Sequence, residues 1–372
     1  MIRSLRPFVC IGGITSFTLT FFHPVMWAPV GLALGIALLL LVPHALSRDQ
    51  AEPPGFFLAL IWIVTTALLA LTYGLTENLF NIKQVGLMLA GLLFGYFLSV
   101  SRAPAWAAWA PFALFVLYTL SLIAAGRPPA EAFPRNSENY VSVILLALFA
   151  SALLLTRPPS VRPAHVLTAL LILALSIWGV GRGGILASLL LASGLFLHMI
   201  TRGGMGVIRA TVVLVMLLLA AGAMLAGAAM LESQGYLDTF AGRGLHDASR
   251  LSILLFYFQG IEPLELVFGR NYYDESFMER WRFNLHNSYL SAWAHLGLHY
   301  LLFVLGALTF CVRRLSVQPV IVIAVLAFAV RALTDTHLIS GQYDYVLFAT
   351  LFMLLREHRR RPLTVAPAAS PA

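Results

Sequence analysis

Apolar residues run along this chain in long blocks, and the polar breaks between them are short. The blocks fall at 7–23, 26–43, 55–74, 84–101, 105–125, 139–156, 164–181, 183–200, 207–230, 287–312, 319–334 and 341–355. A helix that crosses a bilayer needs about 20 apolar residues, each adding about 1.5 Å across about 30 Å of hydrocarbon. The pattern therefore predicts an all-α integral membrane protein of about 12 transmembrane helices, a single polytopic domain over residues 1–372. Turn chemistry marks several breaks, such as Gly126-Arg-Pro-Pro and Arg157-Pro-Pro-Ser-Val-Arg-Pro. Only Gly-Arg-Gly-Gly divides the seventh block from the eighth.

One polar interval is long, and residues 231–286 form a large loop. It gathers Arg243, Arg250, Arg270, Arg280 and Arg282 with Asp247, Glu262, Glu265, Asp274, Glu275 and Glu279. It closes on His286-Asn287, where the next apolar block begins. Within it, Asp247 to Phe258 reads as a capped helix whose apolar side lies on the membrane surface. Glu262 to Asn271 reads as a turn, and Asp274 to Arg282 as a second short interfacial helix with Trp281 at headgroup depth.

Composition agrees with the pattern. The chain is 60% hydrophobic and 11% charged, against roughly 25% charge in soluble domains. The formal charge of +8 would suit nucleic acid only if the basic residues formed a patch. They sit instead at helix ends, so no nucleic-acid partner is expected. With the N-terminus in the cytoplasm and each span reversing the chain, the cytoplasmic segments hold Arg3, Arg6, Arg48, Arg102, Arg157, Arg162, Arg202, Arg209, Arg313, Arg314, Arg356, Arg359, Arg360 and Arg361. The short outer loops hold Lys83, Arg127, Arg135, Arg182 and Arg331. That asymmetry follows the positive-inside rule, with both termini cytoplasmic and the large loop outside. Arg3 and Arg6 precede an apolar run with no small-residue cleavage site after it, so that run reads as the first span. Cys10 and Cys311 both lie in apolar blocks and imply neither a disulfide framework nor a thiolate metal site.

A membrane protein that collects its ionisable groups at one surface is expected to work there. Arg182, in Val180-Gly-Arg-Gly-Gly-Ile-Leu186, reads on its own as a snorkelling interfacial arginine. Two features favour a binding role instead: the positive-inside rule disfavours an arginine here, and the flanking glycines let a ligand approach the backbone. Arg250 begins an interfacial helix, where a cation opposes the helix dipole unless an anion is near. Arg270 and Arg243 are weaker candidates that can simply pair with the loop's carboxylates. His286 reads as an interfacial hydrogen-bonding residue, or as a general base for a sugar hydroxyl near neutral pH. Asn287 and Ser288 can cap the following span. Gly179-x-Gly181-x-x-Gly184 matches the dinucleotide fingerprint but follows no strand, so it carries nothing. His295 and His299 share a helix face yet lack a third ligand, so no metal site and no cofactor are expected. The loop's carboxylates do not define a glycosidase pair, because the arginine excess points to an anionic ligand. Asp335 and His337, in the last outer loop, are reserve candidates for the rim of the site.

Taken together, these residues resemble the bacterial O-antigen ligase family, within the wider group that includes O-antigen polymerases. The signature His-Asn/Ser/Gln-x9-Gly-x-x-Leu/Ile/Tyr stands here as His286-Asn287, nine residues, then Gly297-Leu-His-Tyr300. The companion Arg-x3-Leu stands as Arg182 and Leu186, and Arg250 with Pro263 and Phe268-Gly269 resembles the run that enters the large periplasmic loop. The resemblance covers Arg182 to Tyr300. It implies a GT-C-like glycosyltransferase of the bacterial inner membrane, metal-independent, with its site facing the periplasm. The implied donor is an undecaprenyl-pyrophosphate-linked glycan and the implied acceptor a sugar hydroxyl of lipid A–core. Arg182 and Arg250 would hold the pyrophosphate, His286 would take the proton, and Asn287, Arg270 and Arg243 would support the site. Two other functions compete: a polymerase with a lipid-linked glycan as acceptor, and a polytopic transporter or flippase. Transporters place polar groups at the bilayer midplane on broken helices. Here the middles of the expected spans carry almost no charge, which favours the enzyme.

Overall fold

The computed structural model describes residues 2–19, 22, 54–77, 80–133, 139–202, 248–272, 275–279, 284–335, 341 and 343–360. Among them the regular structure is entirely helical. The long helices are α1 (Ile2–Leu19), α2 (Pro54–Glu77), α3 (Phe80–Val100), α4 (Ala105–Ala124), α5 (Tyr140–Thr156), α6 (Pro163–Trp178) and α7 (Arg182–Arg202). The large loop contributes α8 (Ala248–Phe258), α9 (Pro263–Phe268) and α10 (Ser276–Glu279). The chain then forms α11 (Ser288–Arg313), α12 (Pro319–Ala332) and α13 (Asp344–Arg360). The expected blocks at 26–43 and 207–230 lie outside the described residues. Of the described helices, Ala105–Ala124, Arg182–Thr201 and Ser288–Arg313 are long and apolar enough to cross a membrane, and shorter apolar helices accompany them.

Helix α5 is the axis. Every residue from Tyr140 to Leu155 is buried, which suits a helix that is apolar all round. Helices α1, α3, α4, α6, α7, α12 and α13 all pack against it. In a bilayer such packing is driven by van der Waals fit rather than by escape from water, so small residues at the contacts matter. Gly91 and Gly95 supply them where α3 meets α13. A Cβ on Gly91 would lie 2.8 Å from the Asp344 Cβ, and one on Gly95 would lie 2.7 Å from the Phe348 Cβ.

The weak division between the seventh and eighth blocks is a real helix boundary. Helix α6 ends at Trp178, α7 starts at Arg182, and the two pack together. Ser176 and Ser188 share a hydrogen bond of 2.9 Å across the hairpin. The expected turn at Glu262–Asn271 is instead largely helical. Pro263 begins α9, the Glu262 N–H donates to the Glu265 side chain at 3.0 Å, and Gly269 stops the helix at φ +98°. Proline at the first helical position and glycine just past the last are the usual helix punctuation.

Helices α8 and α9 are docked on α11. Ile253 and Tyr257 are buried with Tyr272, Met278, Leu285, Leu290 and Ala294 in a second apolar cluster. Leu254, Leu255, Phe258, Leu264, Leu266 and Val267 point outward, the apolar surface a membrane-lying element presents. Two glycines permit the close approach. A side chain on Gly269 would strike the Ala294 carbonyl, and a Cβ on Gly297 would lie 2.7 Å from the Val267 carbonyl oxygen. Trp293 Nε1 donates to the Leu266 carbonyl at 2.8 Å.

Candidate functional site

The last turn of α12 carries a buried arginine. Arg331 is 2% exposed and pairs with Asp335, four residues on, at 2.8 Å. A buried charge is tolerated only when it is paired and its remaining donors are bonded. Arg331 meets that condition: Nε donates to Ser142 Oγ at 3.2 Å, Nη1 to Thr334 Oγ1 at 2.7 Å and Nη2 to the Asn139 carbonyl at 3.1 Å. Ser142 and Thr334 pass their own protons to the carbonyls of Asn139 and Arg331, both at 3.0 Å. The arginine thus joins the end of α12 to the start of α5.

Two further helix starts meet the same network. At the start of α7, a side chain on Gly183 would overlap Thr334 and one on Gly184 would overlap Ser142. A Cβ on Gly181 would sit 2.9 Å from Asn139 Oδ1. At the start of α11, Ser288 Oγ donates to the Asp335 carbonyl. The N-termini of α5, α7 and α11 therefore converge around the Arg331–Asp335 pair. Each helix N-terminus carries roughly half a positive charge and unbonded N–H groups, so such a junction favours an anion.

The residues expected in the site distribute unevenly over this frame. Arg182 is the first residue of α7, half-buried beside the glycines that touch the network. His286 lies two residues ahead of α11, half-buried, with its N–H on Asn284 Oδ1 at 2.8 Å. Its φ is +51°, and Val180, two residues ahead of α7, has φ +54°. Left-handed backbone at residues other than glycine costs on the order of 1–3 kcal/mol and gathers at functional sites. Asn287 is the α11 cap: its Oδ1 accepts the N–H groups of Tyr289 at 2.9 Å and Leu290 at 3.0 Å. Arg250 is the third residue of α8. Arg243 and His337 lie outside the described residues.

Arg270 closes a helix. It is 9% exposed, and its Nη1 donates to the carbonyls of Phe256, Tyr257 and Gln259 at 3.3, 2.8 and 2.8 Å. Nη2 reaches Glu275 at 3.4 Å, and the guanidinium lies 5.3 Å from the centroid of the Phe256 ring. A cation on the last carbonyls of α8 offsets the helix dipole there. Pairing with a loop carboxylate, the plainer expectation for this arginine, is what the structure has.

The common helix face expected for His295 and His299 is not present, because Gly297 breaks α11 between them at φ 82°, ψ 169°. His295 is 2% exposed, and its Nδ1 lies 2.7 Å from the Ser291 carbonyl. A carbonyl only accepts, so the proton is on Nδ1, and Nε2 accepts from the Tyr272 hydroxyl at 3.2 Å. The histidine thereby fastens the large loop to α11. Among the described residues no three His, Cys, Asp or Glu side chains converge on a metal-sized site.

In the sequence Arg331 is one of several basic residues expected in outer loops, and nothing there singles out Asn139, Ser142 or Thr334. A signal existed: an arginine four residues before Asp335, ending an apolar helix on the side expected to be outer, where the positive-inside rule disfavours it. A scan of the chain against family models finds no match, and searches of curated proteins and of solved structures likewise return none.

Proposed function

We propose that the chain is a polytopic inner-membrane glycosyltransferase of the O-antigen ligase type, with about 12 spans and its site facing the periplasm. It moves a glycan from undecaprenyl pyrophosphate to a sugar hydroxyl of lipid A–core. The observation that carries this reading is the junction of three helix N-termini around the Arg331–Asp335 pair, with Arg182 opening one of those helices and His286 just ahead of another.

In this reading the acceptor oxygen attacks the anomeric carbon and its proton passes to the His286 imidazole. The bond from that carbon to the pyrophosphate oxygen breaks, and undecaprenyl pyrophosphate leaves with the electron pair. Attack from the face opposite the leaving group inverts the centre. Charge grows on the pyrophosphate as the bond breaks, and Arg182, Arg250 and the helix N-termini offset it. Purified full-length protein would be incubated with lipid-linked glycan, with and without lipid A–core. Transfer to the core supports the ligase; extension of the lipid-linked glycan without core makes the protein a polymerase; no transfer in either arm removes the transferase reading.

A further inference from the structure

Arg331 is the most deeply buried arginine among the described residues. Arg331 is 2% exposed near the end of an apolar helix, and its side chain bonds the start of α5 as well as its own turn. Ionisable side chains at such positions are costly and call for a reason beyond stability, because apolar replacements of buried pairs are often neutral or stabilising. The bonds form a chain. Asn139 and Ser142 hold the guanidinium, the guanidinium holds Asp335, and the Asp335 carbonyl accepts from Ser288, two residues after His286.

We infer that Arg331 is a positioning residue, acting through Asp335 and Ser288 to set His286 relative to the Arg182 helix start; the inference rests on the transferase reading above. Arg331 is 2% exposed, so its role runs through the groups it bonds. Its five N–H groups form a rigid fork, and the bonds they make join two segments, the start of α5 and the turn that follows α12. A lysine can keep the pair with Asp335 but cannot reach the Asn139 carbonyl and both hydroxyls at once. The geometry of a positioned base is steep in its effect, since a misplacement of about 1 Å costs on the order of 10²-fold in rate.

The test uses full-length protein in nanodiscs, with two readouts for Arg331→Lys, Arg331→Met and Ser288→Ala. The first is the ring resonance of His286 in histidine-labelled protein, identified by its loss in His286→Ala and recorded without substrate. The second is kcat and KM per folded protein, with lipid-linked glycan and lipid A–core. Arg331→Lys is expected to shift the His286 resonance and lower kcat by about 10-fold, with both KM values held within about threefold. Arg331→Met lowers kcat further, so the conservative variant rescues part of the loss. Ser288→Ala shifts the same resonance, and combining it with Arg331→Lys adds little, because both cut one path. An unmoved His286 resonance in the Arg331 variants overturns the inference, as does a wild-type kcat, which would leave the pair merely structural. A raised donor KM with kcat unchanged also overturns it, by making Arg331 a direct binder. If Arg331→Met does not fold, Arg331→Lys and Ser142→Ala carry the same comparison. If the wild-type protein transfers no glycan, the transferase reading fails and the resonance alone decides the positioning.

Discussion

Arginines guard both ends of the helix bundle, and they are held in opposite ways. At one end Arg157 follows α5 with φ 47°, and its side chain donates to the carbonyls of Leu154, Ser99 and Ser101. Arg356 joins it, with Nη1 on Ser99 Oγ at 2.5 Å and its guanidinium 4.7 Å from the centroid of the Tyr96 ring. These cations meet helix C-termini, where free carbonyls and the negative end of the dipole accept them. Their placement is explained by folding alone. At the other end Arg182 and Arg250 stand in the first turns of α7 and α8, against the dipole, and Arg331 is buried beside the start of α5. Asp335 answers the charge of Arg331. Local helix electrostatics does not account for Arg182 and Arg250, and in the proposed reading the donor pyrophosphate does.

The contrast breaks most sharply on His286. His286→Ala should lower turnover by roughly 10²–10⁴-fold with donor binding nearly intact. A fully active His286→Ala protein would leave the site without its base. The arginines come next. Arg182→Ala and Arg250→Ala should each weaken donor binding and turnover by about tenfold or more, on the scale of one charge-assisted hydrogen bond, with only partial rescue by lysine. Arg157→Ala at the opposite end should instead cost on the order of 2 kcal/mol of stability and leave turnover per folded protein unchanged. Donor affinity, single-turnover rate and thermal unfolding for the three variants decide whether the two ends differ in kind. Equal behaviour at both ends would remove Arg182 and Arg250 from the site.

Glycines give a smaller contrast. Gly183→Ala drives a methyl group into Thr334 at the polar junction and should destabilise by about 1–3 kcal/mol while lowering activity. Gly86 of α3 has open space around its Cβ position, so Gly86→Ala should be neutral or stabilising by up to about 1 kcal/mol, with activity kept. Unfolding midpoints and transfer rates would show whether only the junction is sensitive. The smallest expected effect is that of a chelator. Activity should survive EDTA, and its loss with rescue by Mg²⁺ would move the loop's carboxylates into the role of metal ligands.

Helix positions were legible in the linear pattern because each helix satisfies its own backbone, and an apolar block of sufficient length declares itself locally. The ends of α4, α5 and α12 fall within about two residues of the block boundaries, the usual uncertainty of a helix end. The positions of Arg182 and His286 at helix starts were legible too, since each stands where polar residues interrupt apolar ones. Asn287 could be assigned as a cap from its place before α11, and its hydrogen bonds bear that out.

The partners were not legible. Asn139 and Arg331 are separated by 192 residues and Ser288 and Asp335 by 47, and no periodicity encodes which helix ends will meet. Likewise Gly297 stands in the sequence only as the glycine of the signature, and the need for it shows once Val267 is seen against it, with a φ of +82° where α11 breaks. The sequence by itself determined most of the described helical segments, the large polar interval, and the places of Arg182 and His286 at breaks between apolar blocks, because those follow from local hydrophobicity. Only the tertiary structure decided that Arg331 and Asp335 sit where three helix starts converge, and that Arg270 closes a helix. Burying a charge is settled by the partners that surround it, and those come from segments far apart in the chain.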